Sequence, residues 1–260
     1  MTEGTYLDEN VMEAPTSRRK FLAGSAAALA GGALMAVPGA AFANDDNGGN
    51  KYGRVTDVDI LNYALTLEYL EAVFYTQGLK KFDRGDFERY FKNNPPKQQG
   101  IKELDGGAVY DEFETIRDHE QTHVKTLKAV LGNKAVPKST YNFNKTAFGS
   151  VGDFVAVAEF LENTGVSAYD GAIAYIKAAK LQTAGATIAT VEARHASYLN
   201  LINGDEPFPE PFDKPVAPRK ICKAVQADNG GFIVRSPKPY GPYKSLEALC
   251  AKLPNRVIAP

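Results

Sequence analysis

The sequence has 260 residues, a formal net charge of −1 and 44% hydrophobic residues, which suffices for one domain of ordinary size with extensions. A charge this close to neutral excludes the strongly basic surface by which proteins bind nucleic acid or an acidic membrane, so no nucleic-acid partner is expected. Tryptophan is absent and there are only three histidines, His119, His123 and His195, so the position of each histidine is informative.

The N-terminal 43 residues have the features of an export signal. Segment 17–22 reads SRRKFL, and a weakly apolar run rich in alanine and glycine leads to AFA at 41–43, an A-x-A cleavage site. The run is short for a membrane span. The paired arginines resemble a twin-arginine signal, which implies that the twin-arginine machinery exports the folded chain, often already loaded with metal. We therefore predict a signal peptide over 1–43, a polar linker over 44–55 and a periplasmic or extracellular mature protein.

The first predicted helix begins at Thr56 or Asp57 and carries one apolar face. Its inward positions alternate in steps of four and three, as one face of a helix requires, and Gly78 is the predicted end. These positions are Leu61, Leu65, Glu68, Ala72, Tyr75 and Leu79. A carboxylate, that of Glu68, therefore lies in the middle of an apolar stripe.

The second predicted helix contains HEQTH, residues 119–123, which fits two motifs at once. H-E-x-x-H is the zinc-protease motif, whereas E-x-x-H, which starts one residue later, is half of a di-metal site in a four-helix bundle. The inward stripe consists of Phe113, Ile116, Glu120, His123, Leu127 and Val130, with Gly132 closing the helix. Because His119 lies about 100° from Glu120 around the helix axis, the register favours the di-metal interpretation.

Two further predicted helices repeat this arrangement, with a tight turn between them near 183–185. The third carries Glu162 on its inward stripe, with Glu159 one turn earlier. The fourth carries Glu192 and His195, which form a second E-x-x-H. Four helices thus each place a carboxylate on the apolar face, and two of them add a histidine three residues later.

The chemistry of a metal pair explains this pattern. Residues three apart share one face of a helix, so a glutamate can approach two ions while its histidine binds one of them. Without metal, four buried carboxylates would repel each other or take up protons. The pattern therefore indicates a di-metal site inside a helix bundle.

The connections fit an all-α four-helix bundle over 56–204. Segment 133–150 is long enough to run the length of a helix, as the single long crossover of such a bundle requires. A short helix is predicted at DFERYFKN (86–93). The Pro-rich extension over 205–260 is predicted to contain a short extended piece and one more helix.

Several segments resemble the ferritin-like superfamily in its di-iron carboxylate form, over about 56–203. LNYALTLEYLEAVFY and LENTGVSAYDGAI are similar to its first and third helices, which selects Glu68 over Glu71 and Glu162 over Glu159. The tail EPFDKPVAPRKICKAV is similar to that of exported ferritin-like proteins related to desiccation-response proteins.

The resemblance implies a centre of two iron ions, or alternatively manganese, that reacts with dioxygen or hydrogen peroxide in oxidative or desiccation stress. Glu120 and Glu192 are expected to bridge the ions. The predicted metal ligands are Glu68, Glu120, His123, Glu162, Glu192 and His195.

Two alternative functions stay open. A zinc protease would use HEQTH, but the sequence offers no convincing third ligand after it. A stress or structural protein without enzymatic activity would use the bundle only as a scaffold. For a di-metal site, His119 is expected at the surface or in contact with a ligand, and Glu71 and Glu159 are expected either to support ligands or to be solvated.

The remaining features allow more than one interpretation. Cys222 and Cys250 either pair in an oxidising compartment or stay as free buried thiols. Tyr75 and Tyr169 fall on inward stripes, where core packing is the simpler role and a redox role the alternative. The sequence leaves the oligomeric state open, a homo-oligomer included.

Overall fold

The computed structural model of the protein describes residues 55–96 and 104–258. The predicted signal peptide (1–43) and all but the last residue of the predicted linker (44–55) lie outside the described residues, so both stay predictions. Among the described residues, no helix has the length and apolar character needed to cross a bilayer.

The predicted all-α fold with a four-helix bundle is confirmed. The α-helices are α1 (Asp57–Lys81), α2 (Arg84–Asn93), α3 (Gly106–Leu131), α4 (Asn144–Phe148), α5 (Val151–Ile173), α6 (Ala179–Asn203), α7 (Pro218–Ala224) and α8 (Leu246–Lys252). The four long helices α1, α3, α5 and α6 form the bundle, in which α1 packs chiefly along α3 and α5 along α6. Helix α2, predicted as DFERYFKN, begins two residues earlier than expected.

Local sequence explains where α1 begins, but its predicted end was wrong. Thr56 and Asp59 form a capping box, in which each side chain accepts a hydrogen bond from the other's backbone N–H. The helix does not stop at Gly78 but continues to Lys81. Gly78 is buried, and a Cβ there would lie 2.2 Å from the Phe154 ring. This glycine therefore permits close packing of α1 on α5 rather than ending a helix.

The connection between α5 and α6 also differs from the prediction. The turn expected near 183–185 lies inside α6, because α5 ends at Ile173 and α6 already begins at Ala179. The backbone N–H groups of Lys177 and Ala178 donate hydrogen bonds of 2.9 and 3.1 Å to the Asp57 carboxylate. A side chain from the start of α1 thus fixes the turn, which helical periodicity cannot reveal.

The long crossover between α3 and α5 is held against the bundle. Helix α3 ends at Gly132, as predicted, with a φ of 56°. The Asn62 side chain then donates to the Lys134 carbonyl and accepts from the Val136 N–H. Further along, strand β1 (Thr140–Tyr141) pairs antiparallel with β2 (Ile233–Arg235) of the C-terminal extension.

The C-terminal extension packs against the bundle at the start of α1. The Tyr243 hydroxyl and the Lys252 ammonium both donate to the Asp59 carboxylate, and the Val216 N–H donates to Ser167 in α5. Cys222 and Cys250 form a disulfide that joins α7 to α8, which resolves the open question of their pairing. By the chain-entropy model, a bridge across 28 residues stabilises the fold by about 3–4 kcal/mol.

An aromatic core fills the bundle near the end of α1. The Phe154 ring lies 5.0 Å from that of Phe74, 5.2 Å from that of Phe113 and 6.2 Å from that of Tyr75, measured between centroids. Of these four side chains none is exposed to solvent. Because Tyr75 also reaches toward the middle of the bundle, this core supports the polar residues described next.

Candidate metal centre

All six residues predicted to bind metal meet in the interior of the bundle. We call them the carboxylate–histidine cluster: Glu68 from α1, Glu120 and His123 from α3, Glu162 from α5, and Glu192 and His195 from α6. The four carboxylates are fully buried, and the exposed fractions of His123 and His195 are 1% and 6%. Buried charges in proteins are ordinarily paired or bound to metal, so this concentration of carboxylates calls for cations.

Each imidazole lies beside a different carboxylate from a neighbouring helix. His123 Nδ1 is 3.1 Å from a Glu68 oxygen and 2.9 Å from a Glu120 oxygen. His195 Nδ1 is 3.1 Å from a Glu162 oxygen and 3.4 Å from the other Glu120 oxygen. Glu120 therefore stands between the two imidazoles and contacts both.

Glu192 occupies a similar intermediate position. Its Oε1 atom lies 3.8 Å from His123 Nδ1 and 3.6 Å from His195 Nδ1. Glu68 and Glu162, by contrast, each come within 4 Å of only one of the two imidazoles. The cluster thus consists of two half-sites, with Glu120 and Glu192 near both.

Two tyrosines bind the outer carboxylates across the bundle. The Tyr169 hydroxyl of α5 donates a 2.8 Å hydrogen bond to Glu68 of α1, and the Tyr75 hydroxyl of α1 donates a 2.7 Å bond to Glu162 of α5. Each tyrosine follows the glutamate of its own helix by seven residues. The two halves of the bundle are therefore built on the same plan.

The chain matches the family model of the ferritin-like domain over residues 56–205. This protein belongs to the ferritin-like domain family. A search of curated proteins found no match to the chain.

In this ferritin-like domain, two groups of donor atoms are close enough to hold an ion. Glu120, Glu162, Glu192 and His195 form one group and Glu68, Glu120 and His123 form the other, and within each group the donor atoms lie within 4.8 Å of one another. Glu120 belongs to both. The domain therefore carries a buried cluster of glutamate and histidine that could bind metal.

Burial and mutual repulsion perturb the protonation of the cluster. Burial raises the pKa of Glu68 to about 8, although His123 opposes it, and burial together with Glu120 and Glu162 raises the pKa of Glu192. Burial disfavours the charged His123 imidazole, but Glu120 and Glu68 outweigh this effect and raise its pKa to about 10. Without metal, the cluster therefore retains protons that carboxylates in water would lose.

The donor set fits bound metal. Neither Glu192 oxygen, nor Glu120 Oε1, receives a good hydrogen bond from a group in the described residues. A buried acceptor without a donor is unfavourable, whereas carboxylate oxygens and imidazole nitrogens are ligands that divalent metals prefer. A cation between the carboxylates would satisfy these atoms.

The sequence did not predict that Glu71 is fully buried beside the cluster. This residue was expected to support a ligand or to be solvated, and solvation is wrong because Glu71 is fully buried. Burial, followed by the charges of Glu162, Glu120 and Glu68, raises its pKa well above the ordinary value. The available signal was its spacing, three residues after Glu68 on the same side of α1.

Glu159, the other acidic neighbour, is not part of the cluster. It lies one turn before Glu162 on α5, is partly exposed, and accepts a hydrogen bond from the Asn203 side chain. It therefore links α5 to the end of α6.

HEQTH takes the form that the register predicted. Glu120 and His123 point into the cluster, whereas His119 is exposed and its Nδ1 lies 3.0 Å from His195 Nε2. His195 thus turns Nδ1 toward the carboxylates and Nε2 toward His119. The zinc-protease interpretation requires His119 and His123 to share one ion, but His119 is exposed and its Nδ1 is directed to His195.

Metal content of two variants distinguishes these interpretations of HEQTH. We expect His119→Ala to retain nearly all bound metal, because His119 is exposed and approaches His195 at its outer nitrogen. We expect Glu120→Gln to lose at least half, because Glu120 serves both half-sites. Elemental analysis after loading and desalting provides the measurement. A zinc protease predicts the opposite, namely loss in His119→Ala and retained zinc in Glu120→Gln.

The stability of the metal-free protein should fall as pH rises. Glu68 has a raised pKa of about 8, because the folded protein favours its protonated form. The stability that this proton contributes is therefore lost as the pH rises from the ordinary glutamate pKa to about 8. His123 has a pKa of about 10. Its protonated form stabilises the fold fully at pH values below the ordinary histidine pKa, and this stabilisation is lost as the pH rises toward 10. Both effects have the same sign.

We therefore expect the free energy of unfolding of the metal-free protein to be lower at pH 8 than at pH 5. The expected difference exceeds about 1.4 kcal/mol, the equivalent of one pKa unit, and urea unfolding in the presence of a chelator measures it. Glu192→Gln should reduce the difference, since it removes one of the repelling carboxylates. Equal stability at both pH values would contradict the electrostatic description of the cluster.

Proposed function

We propose that this ferritin-like protein binds two metal ions in the carboxylate–histidine cluster and reacts there with dioxygen or hydrogen peroxide. The observation that carries the proposal is the placement of Glu120 and Glu192 between two imidazoles, each of which has its own outer carboxylate. A single ion would need only one such half-site. Two overlapping half-sites favour a pair of ions that share two carboxylates.

The proposed ligand roles follow from these contacts. Glu68 and His123 would hold one ion and Glu162 and His195 the other, with Glu120 and Glu192 bridging. Iron is the first choice and manganese the second, because a set of carboxylates and imidazoles without sulfur suits both metals. When bound, such metals supply electrons for the reduction of the oxidant.

The protein's own residues would orient the ligands and keep bulk water out. Tyr75 and Tyr169 hold the outer carboxylates in place through short hydrogen bonds. The aromatic core closes the bundle next to Tyr75. His119, exposed and in contact with His195, offers a hydrogen-bonded path between the cluster and solvent.

Export and a role in oxidative or desiccation stress belong to the same proposal. The paired arginines, the A-x-A site and the C-terminal tail support them. The Cys222–Cys250 disulfide also supports export, because disulfides persist in oxidising compartments and are rare in the cytosol.

Oxidant consumption by the metal-loaded protein tests the enzymatic proposal. Anaerobically reconstituted protein is expected to bind about two ions per chain and to consume dioxygen or peroxide faster than the free metal does. His195→Ala should slow consumption about tenfold or more, since mutation of groups around a metal commonly costs that much. Glu192→Gln should slow it further, because Glu192 approaches both half-sites.

Glu159→Gln serves as the matched control, since it changes a glutamate of α5 outside the cluster and should leave consumption unchanged. Circular dichroism verifies that each variant is folded. A scaffold without enzymatic activity would bind fewer than one ion per chain, or would bind two and react with neither oxidant. Either result would refute the proposed activity while leaving the fold assignment intact.

Export is tested by changing Arg18 and Arg19 to lysine. The variant precursor should accumulate in the cytoplasm, because a twin-arginine signal depends on the arginine pair, and the wild-type protein should begin at Asn44 after cleavage. Cell fractionation and N-terminal sequencing provide the two measurements. Unchanged export of the lysine variant would exclude the twin-arginine route.

A further inference from the structure

Glu71 is a fully buried carboxylate beside the cluster that the proposed function does not use. It lies on α1 three residues after Glu68 and four before Tyr75, and residues at these spacings share one side of a helix. The charges of Glu162, Glu120 and Glu68 all act on it. Glu71 therefore faces the same interior as the six cluster residues.

The Glu71 carboxylate has no hydrogen-bond donor among the described residues. Both of its oxygens are buried and receive no hydrogen bond. The outer carboxylates differ in this respect, because Glu68 is bound by Tyr169 and Glu162 by Tyr75. Tyr75 lies one turn beyond Glu71 but donates its hydroxyl across the bundle, so it does not satisfy Glu71.

Glu71 also has no counterpart in the other half of the bundle. Glu68 and Tyr75 of α1 correspond to Glu162 and Tyr169 of α5, with the same spacing of seven residues. The position in α5 that corresponds to Glu71 is Gly165. Glu71 belongs to neither of the two groups of donor atoms that are close enough to hold an ion, so it is an addition to two half-sites that are complete without it.

The charge of Glu71 changes which metal ions the buried carboxylates can balance. The four cluster carboxylates carry four negative charges when ionised, which two divalent ions balance. Glu71 brings the total to five buried carboxylates, and an uncompensated buried charge is strongly unfavourable. A cation pair with a total charge of five or more, which contains at least one trivalent ion, would balance all five.

We propose that Glu71 is a further metal ligand of the centre and that it favours cation pairs containing a trivalent ion. This inference rests on the proposed metal pair. It assigns a ligand role to Glu71 of α1, whereas the corresponding position in α5, Gly165, has no side chain that could bind metal. The centre would then consist of five carboxylates and two imidazoles.

The test compares a divalent with a trivalent probe, neither of which needs to react. Wild-type protein and Glu71→Gln are loaded with Mn²⁺ or with Ga³⁺ supplied as its citrate complex, and bound metal is measured against graded concentrations of citrate. Glutamine has nearly the shape of glutamate but no charge. We expect Glu71→Gln to weaken Ga³⁺ binding roughly tenfold or more, and to weaken Mn²⁺ binding by less than about threefold.

Two further variants make the comparison specific. Glu71→Asp keeps the charge but shortens the side chain, and it should lie between wild type and Glu71→Gln in Ga³⁺ binding. Glu159→Gln removes a charge from α5 outside the cluster and should match wild type. Thermal unfolding of the metal-free variants verifies folding, and Glu71→Gln should be at least as stable as wild type because it no longer buries a carboxylate.

The possible failures can be told apart. Unchanged binding of both ions by Glu71→Gln would show that Glu71 is a buried neutral acid and would overturn the proposal. Equal weakening of Mn²⁺ and Ga³⁺ would overturn the preference for a trivalent ion. Absence of metal from the wild-type protein would instead refute the proposed metal pair itself.

Discussion

The repulsion among carboxylates buried in the middle of the bundle is the constraint on which the rest of the structure depends. Five glutamates there are fully buried, and a protein interior does not tolerate such charge without protons, cations or hydrogen-bond donors. Two imidazoles and two tyrosine hydroxyls supply part of this compensation. The carboxylate oxygens that remain without a donor are the ones that bound metal would satisfy.

The surrounding fold holds this unfavourable centre together. Phenylalanine rings close the bundle beside Tyr75. The C-terminal extension packs on the start of α1 through Asp59, and a disulfide joins α7 to α8 within the extension. These contacts lie away from the carboxylates, so they stabilise the bundle whether or not metal is bound. A site of this kind needs such support, because its own groups favour separation when no cation is present.

HEQTH shows how helical register decides between two motifs that share the same letters. Glu120 and His123 are three residues apart and face inward together, whereas His119 is exposed and its Nδ1 lies beside the outer nitrogen of His195. His195 is thereby held between His119 at Nε2 and the carboxylates at Nδ1. A motif therefore gains its meaning from the apolar stripe in which it lies.

The sequence by itself determined the all-α class, the four long helices and the inward direction of the six cluster residues, because a period of 3.6 residues fixes the angle of each side chain about its own helix. Helical periodicity does not predict how far apart residues on different helices lie. Only the tertiary structure therefore decided that Glu120 lies near both imidazoles, that Tyr75 and Tyr169 bind carboxylates across the bundle, and that Glu71 is buried without a donor. The same reason explains why Gly78 was mistaken for a helix end, since its role depends on the Phe154 ring of another helix.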